Sequence, residues 1–271
     1  MTEMEKQYTF LNRISDRDEY ITQPSDLGKR LFPSLNFFPN MLRILLYSNR
    51  YAKKGIYDDV RWYESSLDTL KSLERAGIKF HLTGMDNIRE VEGPVVFVSN
   101  HMSTLETMIL PSIIRPLKPV IYVIKEELGK YPLFGPIALA RGPILVGREN
   151  PREDLRIVLE EGSKNIQAGK SVIIFPQRTR SMFLDPSLFN SLGNKLAKRN
   201  NVAVIPIALI TDAWGNGKLI KEVGKIDPGK TVHLAFGEPI FISGNGAEEH
   251  QQIIEFIAGK FREWGRKELV K

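Results

Sequence analysis

The 271-residue chain contains no cysteine. Disulfides, thiolate metal sites and a cysteine nucleophile are therefore excluded. Long apolar runs are also missing. Pro33, Pro39, Asn40 and Arg43 interrupt the most hydrophobic stretch before it reaches the ~18 apolar residues of a spanning helix. The start, MTEMEKQYTF, is mixed in charge and lacks an apolar core, so no secretory signal is expected there. Internal repeats and low-complexity tracts are absent, and without a G-x-S-x-G elbow a serine hydrolase has no support. What remains is the composition of a folded globular protein, 42% hydrophobic and 26% charged. That suffices for one large α/β domain with an appendage, or for two compact domains.

Charge is unevenly placed. The net charge is +6, and Lys29, Arg30, Arg43, Arg50, Lys53 and Lys54 supply that excess within residues 28–54, where no Asp or Glu occurs. Large apolar side chains lie between them, among them Leu31, Phe32, Leu35, Phe38, Leu42 and Leu46. Basic and apolar residues mixed in this way suit an anionic membrane surface, where each nearby cation contributes ~1 kcal/mol. An amphipathic hairpin packed on its own domain is the competing explanation. Nucleic acid is not an expected partner, because the charge sits in an apolar segment and no recognition motif appears.

Residues 1–27 read as a poorly fixed lead-in. Asn40 can cap a helix through about Lys54, and Tyr57–Ala76 gives a second helical pattern ending at Gly77. Beyond it, β-branched runs alternate with helical stretches. Strands are expected at Lys79–Thr83, Pro94–Ser99, Val120–Ile124, Ile144–Val146, Ser171–Phe175, Val202–Leu209 and Val232–Phe236, and helices at Thr104–Ile114, Leu133–Ala140, Pro151–Ala168 and Ala247–Arg266. This alternation predicts an α/β fold, a mixed and largely parallel sheet flanked by helices. The expected division is a helical, membrane-associating module over 1–77 and an α/β domain over 78–271.

Three segments carry candidate chemistry. In the first, an apolar strand ends at Ser99 and delivers Asn100-His101, with Glu106 five residues beyond His101. Ligands of open α/β sheets bind at such carboxyl ends, and a histidine backed by a carboxylate is a natural general base. On a continuous helix the two residues would stand roughly 140° apart, so they meet only if His101 lies in the turn before the helix. Ser103-Thr104-Leu105-Glu106 is also a capping box, which offers a purely structural role for Glu106. The second segment runs from Lys125-Glu126-Glu127-Leu128 to a short strand closed by Arg148, a candidate phosphate clamp. The third is Phe175-Pro176-Gln177-Arg178-Thr179-Arg180-Ser181, two guanidiniums and two hydroxyls after a buried strand, suited to an anion or to a basic surface loop.

Gly224-Lys225-Ile226-Asp227-Pro228-Gly229-Lys230-Thr231 satisfies the pattern of a phosphate-binding P-loop. It runs into an alternating, strand-like stretch, whereas a P-loop must open a helix. Asp227-Pro228-Gly229-Lys230 reads as a β-turn.

Taken in order, these segments resemble the glycerolipid acyltransferase family, typified by 1-acylglycerol-3-phosphate acyltransferases. Asn100, His101 and Glu106 match its N-H-x4-acid motif, with Glu in place of the commoner Asp. Lys125, Glu127, Leu128, Pro132, Phe134, Gly135 and Arg148 match the second motif. Phe175, Pro176, Thr179, Arg180 and Ser181 match F-P-E-G-T-R-S, in which Gln177 replaces the Glu and Arg178 the Gly. Val204-Ile205-Pro206-Ile207 and Gly237-Glu238-Pro239-Ile240 complete the set. The resemblance implies acyl transfer without a covalent intermediate, from acyl-CoA or an acyl carrier protein to a hydroxyl of a phosphate-bearing lysoglycerolipid. His101 would be the base and Glu106 its support, while Arg148, Gln177, Arg178, Thr179, Arg180 and Ser181 would bind substrate. No metal or resident cofactor is implied, and the expected place is the cytoplasmic face of a membrane, held peripherally. The same chemistry on a glycolipid, an ornithine-type lipid or glycerol 3-phosphate, and a catalytically silent lipid-binding module, are the alternatives.

Overall fold

The computed structural model describes Phe10 and residues 13–24, 31–177, 179–217 and 221–271. Among the described residues eight strands form one mixed sheet, β1 (Tyr20–Ile21), β2 (Lys79–Thr83), β3 (Val96–Ser99), β4 (Val120–Lys125), β5 (Ile144–Val146), β6 (Ser171–Ile174), β7 (Val204–Ile210) and β8 (Thr231–Phe236). Their spatial order is β1-β2-β8-β7-β3-β6-β4-β5. From β7 through β3, β6 and β4 to β5 all pairs are parallel, and β8 runs antiparallel to β7. Every residue of β3, β6 and β7 is buried, as a parallel sheet covered on both faces requires.

Helices cover both faces. The crossover from β3 to β4 advances through the strand order and that from β5 to β6 goes back. Right-handed connections therefore place α4 (Leu105–Ile114) and α6 (Pro151–Gln167) on opposite faces. Helix α7 (Leu192–Asn200) lies against Val96 and Val98, so close that a Cβ at Gly193 would stand 2.4 Å from the Val98 methyl. Helix α8 (Ala247–Glu263) packs on β7, and α2 (Asp59–Arg75) on α4. Two shorter helices are α3 (Asp86–Arg89) and α5 (Gly135–Leu139).

The N-terminal part departs from expectation. Helix α1 spans Pro33–Lys53 and does not begin at Asn40. Left-handed Phe32 (φ 55°) turns the chain and Pro33 opens the helix with the preset φ that suits its first turn. Pro39 and Asn40 lie inside, where the Asn40 amide donates to the Asn36 carbonyl. The described part of the lead-in is anchored too: β1 pairs with β2, and the Tyr20 and Thr22 hydroxyls both donate to buried Glu74 at 2.7 Å. Phe37 and Phe38 meet Trp214 edge-on, at 4.8 and 6.2 Å. One apolar core runs across residues 77–80, joining Phe37, Leu70 and Leu73 to Phe97 and Leu209. No helix among the described residues is long and apolar enough to cross a membrane.

This topology has one consequence for chemistry. The carboxyl ends of β3, β4, β5, β6 and β7 share an edge of the sheet, so the segments after them converge there. Gly237 follows antiparallel β8 and therefore lies at the opposite edge. A Cβ on it would stand 2.7 Å from Pro206 and 3.0 Å from the Phe256 ring, so Gly237 is a packing residue.

Candidate active site

Strand β3 ends at Ser99, and the next side chain ties the loop down. The Asn100 amide donates to the Leu209 carbonyl at 2.9 Å, and its oxygen accepts from the Leu209 N–H at 3.0 Å. His101 follows in the turn before α4, which removes the helical separation that would keep it from Glu106. Its Nδ1 lies 2.9 Å from Glu106 Oε1, and its ring stacks on Phe175 with centroids 4.4 Å apart. The His101 N–H donates to Gln177 Oε1 (2.9 Å), while its carbonyl accepts from the Ser181 N–H (2.8 Å). With Nδ1 engaged, Nε2 is the nitrogen able to take up a proton.

Glu106 is fully buried and its carboxylate is surrounded by donors. Oε1 accepts from the Met102 and Ser103 N–H groups (2.6 and 2.8 Å) as well as facing His101. Oε2 accepts from the Ser103 and Thr211 hydroxyls (2.9 and 2.6 Å). Burial pushes this carboxyl upward, but the hydrogen bond and charge of His101, together with Thr211 and the Ser103 backbone, outweigh it and hold the group below the ordinary carboxylate range. The capping role and the support of His101 coexist, because the bond to the Ser103 N–H and the contact with His101 use one oxygen. Thr211, the residue after β7, was not singled out by the sequence. Its one signal is its place at the end of the strand that carries the Val-Ile-Pro-Ile motif.

On the anion side, Arg180 donates to the Thr104 hydroxyl and is paired with Glu222, both at 2.6 Å. Arg148 stands after β5 in a left-handed conformation (φ 65°), its N–H donating to Asp154 at 3.2 Å. Burial lowers its pKa, opposed by Asp154. Arg148 and Arg180 line one cavity with His101. Three expected substrate ligands do not point there. Gln177 is 4% exposed, with both ends of its amide committed to the backbone at His101 and Phe183. Ser181 closes a local turn with Phe183, and exposed Thr179 lies outside the cavity wall. Of this motif's described polar side chains, Arg180 is the one that reaches the cavity. Arg178 lies outside the described residues.

The cavity measures about 490 Å³. Phe38, Met41, Leu45, Met108, Phe134 and Ile137 give it an apolar wall drawn from α1, α4 and α5, against the polar edge of His101, Thr104, Lys125, Arg148, Arg180 and Glu222. Among the described residues no cluster of His, Cys, Asp and Glu could hold a metal ion.

A histidine on a buried carboxylate, two guanidiniums and an apolar chamber thus meet at one edge of the sheet. The chain matches the family model Acyltransferase over residues 79–210. Among its curated relatives is the 1-acyl-sn-glycerol-3-phosphate acyltransferase of Pseudomonas aeruginosa, 30% identical over 171 residues, 63% of each chain. The enzyme of that name from Borreliella burgdorferi is 28% identical over 138 residues, 51% of this chain and 54% of the relative. A lyso-ornithine lipid O-acyltransferase of P. aeruginosa is 26% identical over 159 residues, 54% and 59% of the two chains. The chain thus spans between half and two thirds of these relatives' length. The crystal structure of the 1-acyl-sn-glycerophosphate acyltransferase PlsC from Thermotoga maritima has the same fold, with a TM-score of 0.60 at 21% identity over 87% of this chain and 96% of that one.

Proposed function

We propose that this protein transfers a fatty acyl group from a thioester, acyl-CoA or acyl carrier protein, to the free hydroxyl of 1-acylglycerol-3-phosphate. The observation that carries this reading is the pairing of His101 with buried Glu106 on the wall of an apolar cavity that also holds Arg148 and Arg180. Nε2 of His101 removes the acceptor hydroxyl proton as the oxygen attacks the thioester carbonyl. Collapse of the tetrahedral adduct forms the new ester and expels the thiolate, which takes the proton back from the imidazolium. Glu106 holds the ring and favours its charged form, and the guanidiniums bind the acceptor phosphate. The apolar walls accommodate an acyl chain.

The enzyme would work docked on an anionic membrane surface, at the cytoplasmic face. Leu31, Phe32, Leu35, Leu42 and Leu46 are more than half exposed along α1 and its entry, and Arg43, Arg50 and Lys53 share that helix. A second reading is favoured by Glu222: a lysolipid head carrying an ammonium beside its anion, as in an ornithine-type lipid, would meet an acid and a guanidinium together. Thiol release measured with each acceptor and both donors tests the proposal. Turnover is expected with lysophosphatidate and should fall by roughly 10²–10⁴ in His101→Ala, the contribution of a general base. A variant within a fewfold of the parent would overturn the mechanism.

A further inference from the structure

We infer that Gln177 is a positioning residue for the base His101, holding its main chain at a fixed place relative to Arg180. The inference rests on the acyl-transfer reading above. Gln177 is 4% exposed, and its partners settle its orientation, since only the amide oxygen can face the His101 N–H (2.9 Å) and only the NH₂ can face the Phe183 carbonyl (3.1 Å). Four residues on, the Ser181 N–H donates to the carbonyl of the same His101 at 2.8 Å. The base is therefore gripped at both main-chain groups by a single loop.

That loop also carries Arg180, and it is closed on itself by the Ser181 hydroxyl, which donates to the Phe183 carbonyl and accepts from the Phe183 N–H. Base and anion clamp are thus tied to the same loop, and the Gln177 amide is one of the ties. A displacement of the base by about 1 Å can cost on the order of 10²-fold in rate. A carboxylate at this position, the residue of the family pattern, would keep the acceptor for His101 but set its second oxygen against the Phe183 carbonyl. An amide satisfies both partners.

Two substitutions separate positioning from simple packing. Gln177→Glu keeps the oxygen that faces His101, and Gln177→Leu removes it. Turnover should follow that oxygen: kcat within about fivefold of the parent for Glu and lowered roughly 10–100-fold for Leu, with the Michaelis constants of acceptor and donor within about threefold throughout. Stability should not follow it, because a buried carboxylate is no easier for the fold to hold than leucine. Hydrogen exchange at the His101 amide gives a readout that needs no activity, and it should quicken in the Leu variant and stay slow in the Glu variant. Equal kcat in the two variants, activity that tracks melting temperature, or a rise confined to the acceptor Michaelis constant would overturn the inference. If the parent releases no thiol with any acceptor, the functional reading fails, and unchanged exchange in Gln177→Leu would then sink the positioning role by itself.

Discussion

Glu106→Gln is the substitution that separates charge from shape. Glutamine can reproduce the hydrogen bonds. Its carbonyl inherits the three partners of Oε1, the Met102 and Ser103 N–H groups and His101. Its NH₂ faces the Ser103 and Thr211 hydroxyls, which can turn to accept. The melting temperature should therefore move by only a few degrees, as exchanging charged for neutral hydrogen bonds costs about 1–2 kcal/mol. Turnover should respond quite differently. Across the 2.9 Å contact, an imidazolium and a carboxylate at an effective dielectric constant of about 20 attract by roughly 6 kcal/mol. Losing even two thirds of that stabilisation as the proton arrives lowers kcat about 10³-fold. Because the Glu106 carboxyl titrates below its ordinary 4.5, the stability it contributes is present above that pH and disappears as the pH falls through its folded-state value. The gap in melting temperature between parent and variant should narrow accordingly below about pH 4.5. Thiol release under saturating substrates, alongside thermal unfolding, makes the test. A folded Gln variant with kcat within tenfold of the parent would refute the electrostatic argument and leave Glu106 as a cap.

Arg148→Ala and Arg180→Ala should each raise the acceptor Michaelis constant about 10–100-fold, the loss of a charged hydrogen bond, with little change for the donor. A donor-side loss would assign them to the thioester carrier. Glu222→Gln should lower the lysophosphatidate Michaelis constant severalfold by freeing Arg180, and an unchanged value would mean the pair of Arg180 and Glu222 does not oppose the acceptor. Replacing Leu35, Leu42 and Leu46 by serine should weaken binding to anionic vesicles at least tenfold, given ~1.5 kcal/mol or more for each buried leucine; equal sedimentation with vesicles would remove the docking face. His233 is pushed down to about 4 by burial, His81 and Arg266, so it is neutral in the folded protein while the unfolded chain protonates below about 6.5. Stability should fall between pH 6.5 and 4 by about 1–2 kcal/mol on its account, discounted for partial exposure, and His233→Gln should flatten that slope in pH-dependent unfolding.

The parts legible in the sequence are those written locally. The buried strands β3, β6 and β7 announce themselves as apolar runs rich in β-branched residues. His101, Glu106 and Arg180 stand within a few residues of such strands, which fixes the edge they face. Helix α7, Leu192–Asn200, was missed because five of its nine residues are Asn, Lys or Arg and Leu196 is the one large apolar residue among its buried positions. Strand β1 has two residues and exists only through its pairing with β2. The start of α1 was misplaced because Pro39 reads as a break, whereas Pro33 supplies the opening and tertiary packing carries the helix past Pro39. Thr211 left no local trace because its hydroxyl reaches Glu106 from a strand 105 positions away. Gln177 was misjudged for a related reason: a polar residue in a basic loop gives no hint that both of its hydrogen-bonding ends turn inward.

The bonds that join Asn100 to Leu209 and Glu106 to Thr211 make the site a latecomer in the life of the chain. A nascent polypeptide that has released the first motif but not yet β7 owns the histidine, the glutamate and their local bonds, but lacks the Leu209 and Thr211 contacts that brace them. Closing that span is entropically slow compared with forming α2 or α4. On the proposed function, turnover should appear during refolding only as β7 docks beside β3, and its onset would time that step.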